Sequence, residues 1–116
     1  MTGVQTCALP ISNKIYKSID LLLITSPIEN CPFTVLESKS YSIPTLSLAE
    51  GGIKEIIQNN KDGILLKSDA NIKYIENKIM YIQKNYNYFA NNCYRNSKIF
   101  DIQFLDKKIY NLFTKF

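Results

Sequence analysis

Three short apolar runs constrain this chain more than any other feature: Leu21-Leu22-Leu23-Ile24, Pro44-Thr45-Leu46-Ser47-Leu48 and Ile64-Leu65-Leu66. Each is closed by turn chemistry, and helix-length segments separate them. Strands that are apolar along their length are covered on both faces. The alternation therefore predicts an α/β fold: a parallel sheet of about three strands with flanking helices and a helical C-terminal tail. Three strands are few for such a sheet, so the chain reads as the C-terminal part of a larger one.

The helices follow from spacing and punctuation. Residues 13–18 read as the last turns of a helix with Ile15 and Tyr16 inward. Pro32 suits a first helical turn, where its missing N–H has no intrahelical partner. The helix after it is expected to run to about Tyr41, with Phe33, Leu36 and Tyr41 towards the core. Gly51-Gly52 breaks the second strand into a loop, and Ile53 to Gln58 makes a short helix. Asn59-Asn60-Lys61-Asp62-Gly63 is dense turn chemistry. Asp69 is expected to cap a helix with Ile72, Ile75, Ile79 and Ile82 on one amphipathic face. A further helix is expected from Tyr86 to about Lys98, with Cys93, Tyr86, Tyr88 and Tyr94 as packing residues. A last one from about Ile102 is expected to bury Leu105, Ile109, Leu112 and Phe113.

Residues 1–11, Met1-Thr2-Gly3-Val4-Gln5-Thr6-Cys7-Ala8-Leu9-Pro10-Ile11, resemble a translated sequencing adapter begun at a GTG codon. They lack the basic start and long apolar core of a targeting peptide. The expected division is a non-native segment over 1–11 and a partial domain over 12–116. Hydrophobic content of 46% across 116 residues suits one modest globular core. No apolar run approaches the roughly 20 residues of a membrane span.

The net charge is +4, with lysines scattered among acidic residues and no cluster of the kind that binds nucleic acid. A basic, Tyr- and Phe-containing C-terminal third could touch an anionic membrane surface peripherally, at the inner membrane face. Solvated helix faces over an aromatic core are the preferred reading. With Cys7 set aside, Cys31 and Cys93 read as reduced thiols in a cytoplasmic chain. The chain has no histidine, which excludes His-based catalysis and Cys/His zinc sites within it. No metal and no cofactor is expected.

The segment Glu29-Asn30-Cys31-Pro32-Phe33-Thr34-Val35-Leu36-Glu37 carries the chemistry. One carboxylate precedes a Pro-started helix and the other lies about two turns inside it. The segment follows a strand directly. In open α/β sheets ligands bind at the carboxyl ends of strands, beside helix N-termini whose free N–H groups suit phosphate. A carboxylate pair there suits a hydroxyl-rich, phosphorylated ligand, and a nucleotide-sugar has that chemistry.

From Tyr16 to Leu66 the chain resembles the C-terminal, donor-binding domain of retaining GT-B glycosyltransferases of group 1 (family 4), a Rossmann-like domain. Four blocks carry the resemblance in order. Tyr16 to Ser26 is similar to the family's helix-then-strand opening. Glu29 to Glu37 is similar to its E-x7-E motif. Ser42-Ile43-Pro44-Thr45 stands at its Gly-x-Pro-Val step. Gly51 to Ile57 and Asp62 to Leu66 resemble its Gly-Gly loop and closing strand. Lys54 stands where many relatives have Pro, and Tyr41-Ser42 replaces a small pair ending in Gly.

The resemblance implies roles for particular residues. Glu29 would position the donor hexose as the catalytic carboxylate, and Glu37 would hold the ribose hydroxyls. Asn30, Cys31, Phe33 and Thr34 would lie where backbone amides face the hexose and diphosphate. The implied activity is transfer of a hexose from a UDP- or GDP-sugar to an unidentified acceptor with retention, by a full-length parent. The chain alone, without its N-terminal domain, is expected to be inactive. A GT-B-type sugar-nucleotide epimerase and a non-catalytic α/β binding domain remain as alternatives.

Overall fold

The computed structural model describes residues 13–29 and 33–98. In order they form α1 (13–18), β1 (Leu22–Ile24), α2 (Phe33–Ser40), β2 (Thr45–Ser47), α3 (Ile53–Ile56), β3 (Gly63–Leu65), α4 (Ile72–Lys84) and α5 (Tyr86–Ser97). The three strands make one parallel sheet in the order β1-β2-β3. The α/β reading of the sequence holds.

Strand pleating explains how the two faces are built. The register aligns Leu22 with Thr45 and Gly63, Leu23 with Leu46 and Ile64, and Ile24 with Ser47 and Leu65. The rows of Leu22 and Ile24 face Val35, Ala49, Ile53, Ile56 and Ile57, so α2 and α3 cover that side. The alternate row, Leu46 and Ile64, packs with Leu66, Ile82 and Phe89, so α4 and α5 cover the other. Gly63 is required by this geometry, because a Cβ there would stand 2.4 Å from the Thr45 carbonyl oxygen.

Several expected positions differ. Phe33 is 59% exposed and Ile15 is 50% exposed, while Val35, Ser38 and Lys39 form the inner face of α2. Ile72 points to solvent at 76% exposure, and Asn71 rather than Asp69 caps α4, its side chain accepting from the Tyr74 N–H at 2.8 Å. Ile72 sits in the first turn of α4, before the helix reaches the sheet. Tyr88 and Tyr94 are exposed, whereas Cys93 is fully buried. The helix expected from Ile102 and the positions of Asn30, Cys31 and Pro32 lie outside the described residues.

A buried polar network ties α2 to α5. The Lys39 ammonium pairs with the Asp62 carboxylate at 2.9 Å, with side chains 1% and 0% exposed. Lys39 also donates to the Ile56 carbonyl. Asp62 accepts from the Gln58 N–H at 2.8 Å and from the Asn96 side chain at 3.0 Å, while the Cys93 thiol donates to the Asp62 carbonyl. Helix α2 ends in a Schellman motif. The Ile43 N–H bonds the Ser38 carbonyl, the Ser42 N–H bonds that of Lys39, and Ser42 takes the left-handed conformation at φ 63°.

Candidate functional site

The parallel pairing of β1 and β2 continues beyond the strands and fixes the loop that carries Glu29. The Leu48 N–H bonds the Ile24 carbonyl at 2.9 Å and the Glu50 N–H bonds that of Pro27 at 2.9 Å. Glu29 is then held at three points. Its N–H donates to Glu50 at 2.9 Å, its carbonyl accepts from the Ile53 N–H at 3.0 Å, and its carboxylate accepts from the Ser26 hydroxyl at 2.9 Å. The side chain is half-buried, so the bonded carboxylate still reaches the surface.

The Gly51-Gly52 loop lies directly against this backbone. Gly51 adopts φ 102°, a left-handed conformation that favours glycine, and Gly52 begins α3. Lys54 pairs with Glu50 one helical turn away, both side chains about half exposed. An ion pair so placed is worth at most about 0.5 kcal/mol, so it does little to fix the loop.

On α2 the i, i+3 and i, i+4 spacings put Phe33, Thr34, Glu37 and Tyr41 on one face, away from Val35, Ser38 and Lys39. Phe33 and Thr34 are exposed and Glu37 is half-buried. Glu37 lies towards α1, close enough for its charge to act on the Tyr16 hydroxyl. The Tyr16 ring, 8% exposed, stacks on Tyr41 with centroids 5.2 Å apart, and the Tyr41 hydroxyl donates to Asn13 at 2.5 Å. Burial, and after it the nearby Glu37 carboxylate, push the Tyr16 hydroxyl up to about 12.

The arrangement supplies two half-buried carboxylates, and the Ser26 hydroxyl orients that of Glu29. Sequence reasoning missed this helper. Ser26, three residues before Glu29, was findable as a local side-chain bond. Cys93 has no reactive role at neutral pH: it is fully buried, and burial together with the Asp62 charge pushes its thiol up to about 12.

A concavity of about 310 Å³ opens at the carboxyl end of β3, lined by Leu65, Leu66, Lys67, Asp69, Ala70 and Tyr74. None of the sequence-predicted site residues lines it. Among the described residues no group of three or more His, Cys, Asp or Glu side chains could hold a metal ion, and no helix is long and apolar enough to cross a membrane.

A family model described as "Glycosyl transferases group 1" matches residues 11–100. No curated protein matches the chain. Among solved structures, the sucrose-phosphate synthase of Thermosynechococcus elongatus aligns with a TM-score of 0.75 at 15% identity, covering 87% of this chain and 26% of that one. Anabaena HepE in complex with UDP aligns at 0.72 and 18% identity, covering 88% of this chain and 29% of that one. HepE in complex with UDP-glucose aligns at 0.70 and 17% identity, over 90% and 30%. At these identities the likeness is one of fold, and the chain spans under a third of the length of each.

Proposed function

The chain belongs to the glycosyl transferases group 1 family, and on that premise we propose that it is the donor-binding portion of an enzyme that transfers a hexose from a UDP- or GDP-sugar with retention. The reading is carried by Glu29. Its backbone is held beyond the carboxyl end of a parallel strand by two hydrogen bonds and its carboxylate by one, from Ser26, in a segment that resembles the family's first motif glutamate. The complexes of HepE with UDP and UDP-glucose support the choice of a uridine nucleotide as the first probe.

In this reading Glu29 accepts hydrogen bonds from donor-hexose hydroxyls and Glu37 from the ribose hydroxyls. Charge-assisted bonds of this kind are the stronger ones. The start of α2, with Asn30, Cys31, Phe33 and Thr34, offers backbone N–H groups to the diphosphate. Pro32 can offer none. Chemistry on the same face of the sugar, assisted by the leaving diphosphate, asks the protein mainly to stabilise developing negative charge. That help and the acceptor site belong to a longer parent, so residues 12–116 alone bind donor without turnover.

Calorimetric titration of the 116-residue chain with UDP-glucose tests the reading. Loss of even one charge-assisted bond, about 1.5–3 kcal/mol, predicts a fall in affinity of at least about tenfold in Glu37→Ala. Equal affinity in the wild type and Glu37→Ala would remove the ribose role. Turnover of a nucleotide-sugar by the chain would remove the claim that it lacks activity alone.

A further inference from the structure

We propose that Ser26 is a positioning residue, whose hydroxyl presets the Glu29 carboxylate for the hydroxyls of the donor hexose and so sets the affinity for a nucleotide-sugar relative to the bare nucleotide. The inference rests on the hexose role proposed above for Glu29. It adds a residue that the reading does not use.

The hydroxyl stands on a fixed platform. Ser26 precedes Pro27, which confines its backbone to extended conformations. On either side of it the chain is tied to the extension of β2. The Ile24 carbonyl accepts from the Leu48 N–H and the Pro27 carbonyl from the Glu50 N–H, both at 2.9 Å. A single rotatable bond separates that backbone from the serine oxygen. From there the hydroxyl donates to Glu29 Oε1 at 2.9 Å, between two half-buried side chains.

Glu29 is fixed as firmly, but only as far as its backbone. Its N–H bonds the Glu50 carbonyl at 2.9 Å, and its carbonyl accepts from the Ile53 N–H at 3.0 Å. Three further rotatable bonds lie between that backbone and the carboxylate. Among the described residues, the Ser26 hydroxyl is what holds them.

The consequence for binding follows from counting acceptors and rotors. An ionised carboxylate has about four lone-pair sites, so one bond at Oε1 leaves enough for two sugar hydroxyls. A half-buried side chain fixed before the ligand arrives spares the entropy of fixing it on binding. A bare nucleotide has no hexose to meet Glu29. The effect of Ser26 therefore falls on the sugar-dependent share of the affinity.

The test titrates UDP-glucose and UDP calorimetrically into the wild-type chain, Ser26→Ala, Ser26→Thr and Glu29→Ala. The affinity for UDP-glucose relative to UDP should fall at least about tenfold in Glu29→Ala. Ser26→Ala should lose about three- to tenfold in UDP-glucose affinity while binding UDP as the wild type does. Ser26→Thr keeps the hydroxyl and should restore the wild-type ratio. If Ser26→Ala weakens both ligands equally, if it leaves the ratio intact while Glu29→Ala lowers it, or if Ser26→Thr behaves as Ser26→Ala, the positioning role is overturned and the hexose role stands.

A wild type that binds neither ligand, or a ratio unchanged in Glu29→Ala, overturns the hexose role and the inference with it. A second measurement needs no nucleotide. The NMR resonance of the Glu29 carboxylate carbon should move in Ser26→Ala and return in Ser26→Thr, and an unmoved resonance overturns the contact itself.

Discussion

Replacing Asp62 by Ala should be among the most damaging single changes in this chain, and the structure says by how much. The Asp62 carboxylate is bonded to the Lys39 ammonium at 2.9 Å, where neither side chain is more than 1% exposed. Removing it leaves a buried ammonium without that counter-charge, which costs about 3–5 kcal/mol in comparable buried pairs. The two other bonds to the carboxylate, from the Gln58 N–H and the Asn96 side chain, are part-buried. Water can replace them, so they add less than about 1 kcal/mol.

A domain of this size has about 5–15 kcal/mol in all, so the variant forfeits a large share of it. Urea unfolding followed by far-UV circular dichroism reads the loss. At a slope of about 1.5 kcal/mol per molar, the midpoint should fall by about 2–3 M. Lys39→Met leaves Asp62 with two donors and should cost less. The double variant should be milder than Asp62→Ala alone, because no buried charge remains unbalanced. A loss below about 1 kcal/mol in Asp62→Ala, or additive costs in the double variant, would refute the argument that the pair is a buried, coupled unit.

Ser42→Gly should raise stability by about 0.5 kcal/mol in thermal melts. Relief of a left-handed residue at φ 63°, about 1–2 kcal/mol, exceeds the 0.4–1 kcal/mol of added chain entropy in the unfolded state. Gly63→Ala should lose about 1–3 kcal/mol or more, since its Cβ would meet the Thr45 carbonyl at 2.4 Å and Ile57 Cγ2 at 2.9 Å, and an unchanged melting temperature would contradict the register.

Cys93 sets an alkaline limit. Its thiol is raised from 9.0 to about 12 in the folded state, so its contribution is full below about pH 9 and is lost as pH rises towards 12. Urea midpoints measured at pH 8, 9.5 and 11 should fall more steeply for the wild type than for Cys93→Ala. Native Cys93 should also resist iodoacetamide at pH 8.

The sheet was legible because its signal is local. Three apolar runs bounded by turn residues marked β1, β2 and β3 to within one or two residues of Leu22–Ile24, Thr45–Ser47 and Gly63–Leu65. The end of α2 was half legible. Ser42 was visible as a departure from the family's glycine, but only the backbone shows why glycine is usual there: the position closes a Schellman motif with positive φ. Asp62-Gly63 announced a turn and hid its other role. Asp62 is a buried acceptor for three different segments, and none of its partners lies on the strand that follows it.

Helix α2 shows why the remainder was not legible. Hydrophobicity alone puts Phe33 inside and Lys39 outside, and the structure reverses both. Lys39 is buried because its counter-charge comes from a turn twenty-three residues later, a long-range fact with no trace in local periodicity. Its burial also fixes the rotation of the helix. With Val35, Ser38 and Lys39 held inward, Phe33, Thr34, Glu37 and Tyr41 must share the outer face. An exposed aromatic ring beside a half-buried carboxylate is poor packing for a free helix and good surface for a ligand with an apolar ring and hydroxyls. The residues that break the packing rule on α2 are therefore those proposed to bind the donor, and the buried pair on its opposite side is what keeps them turned outward.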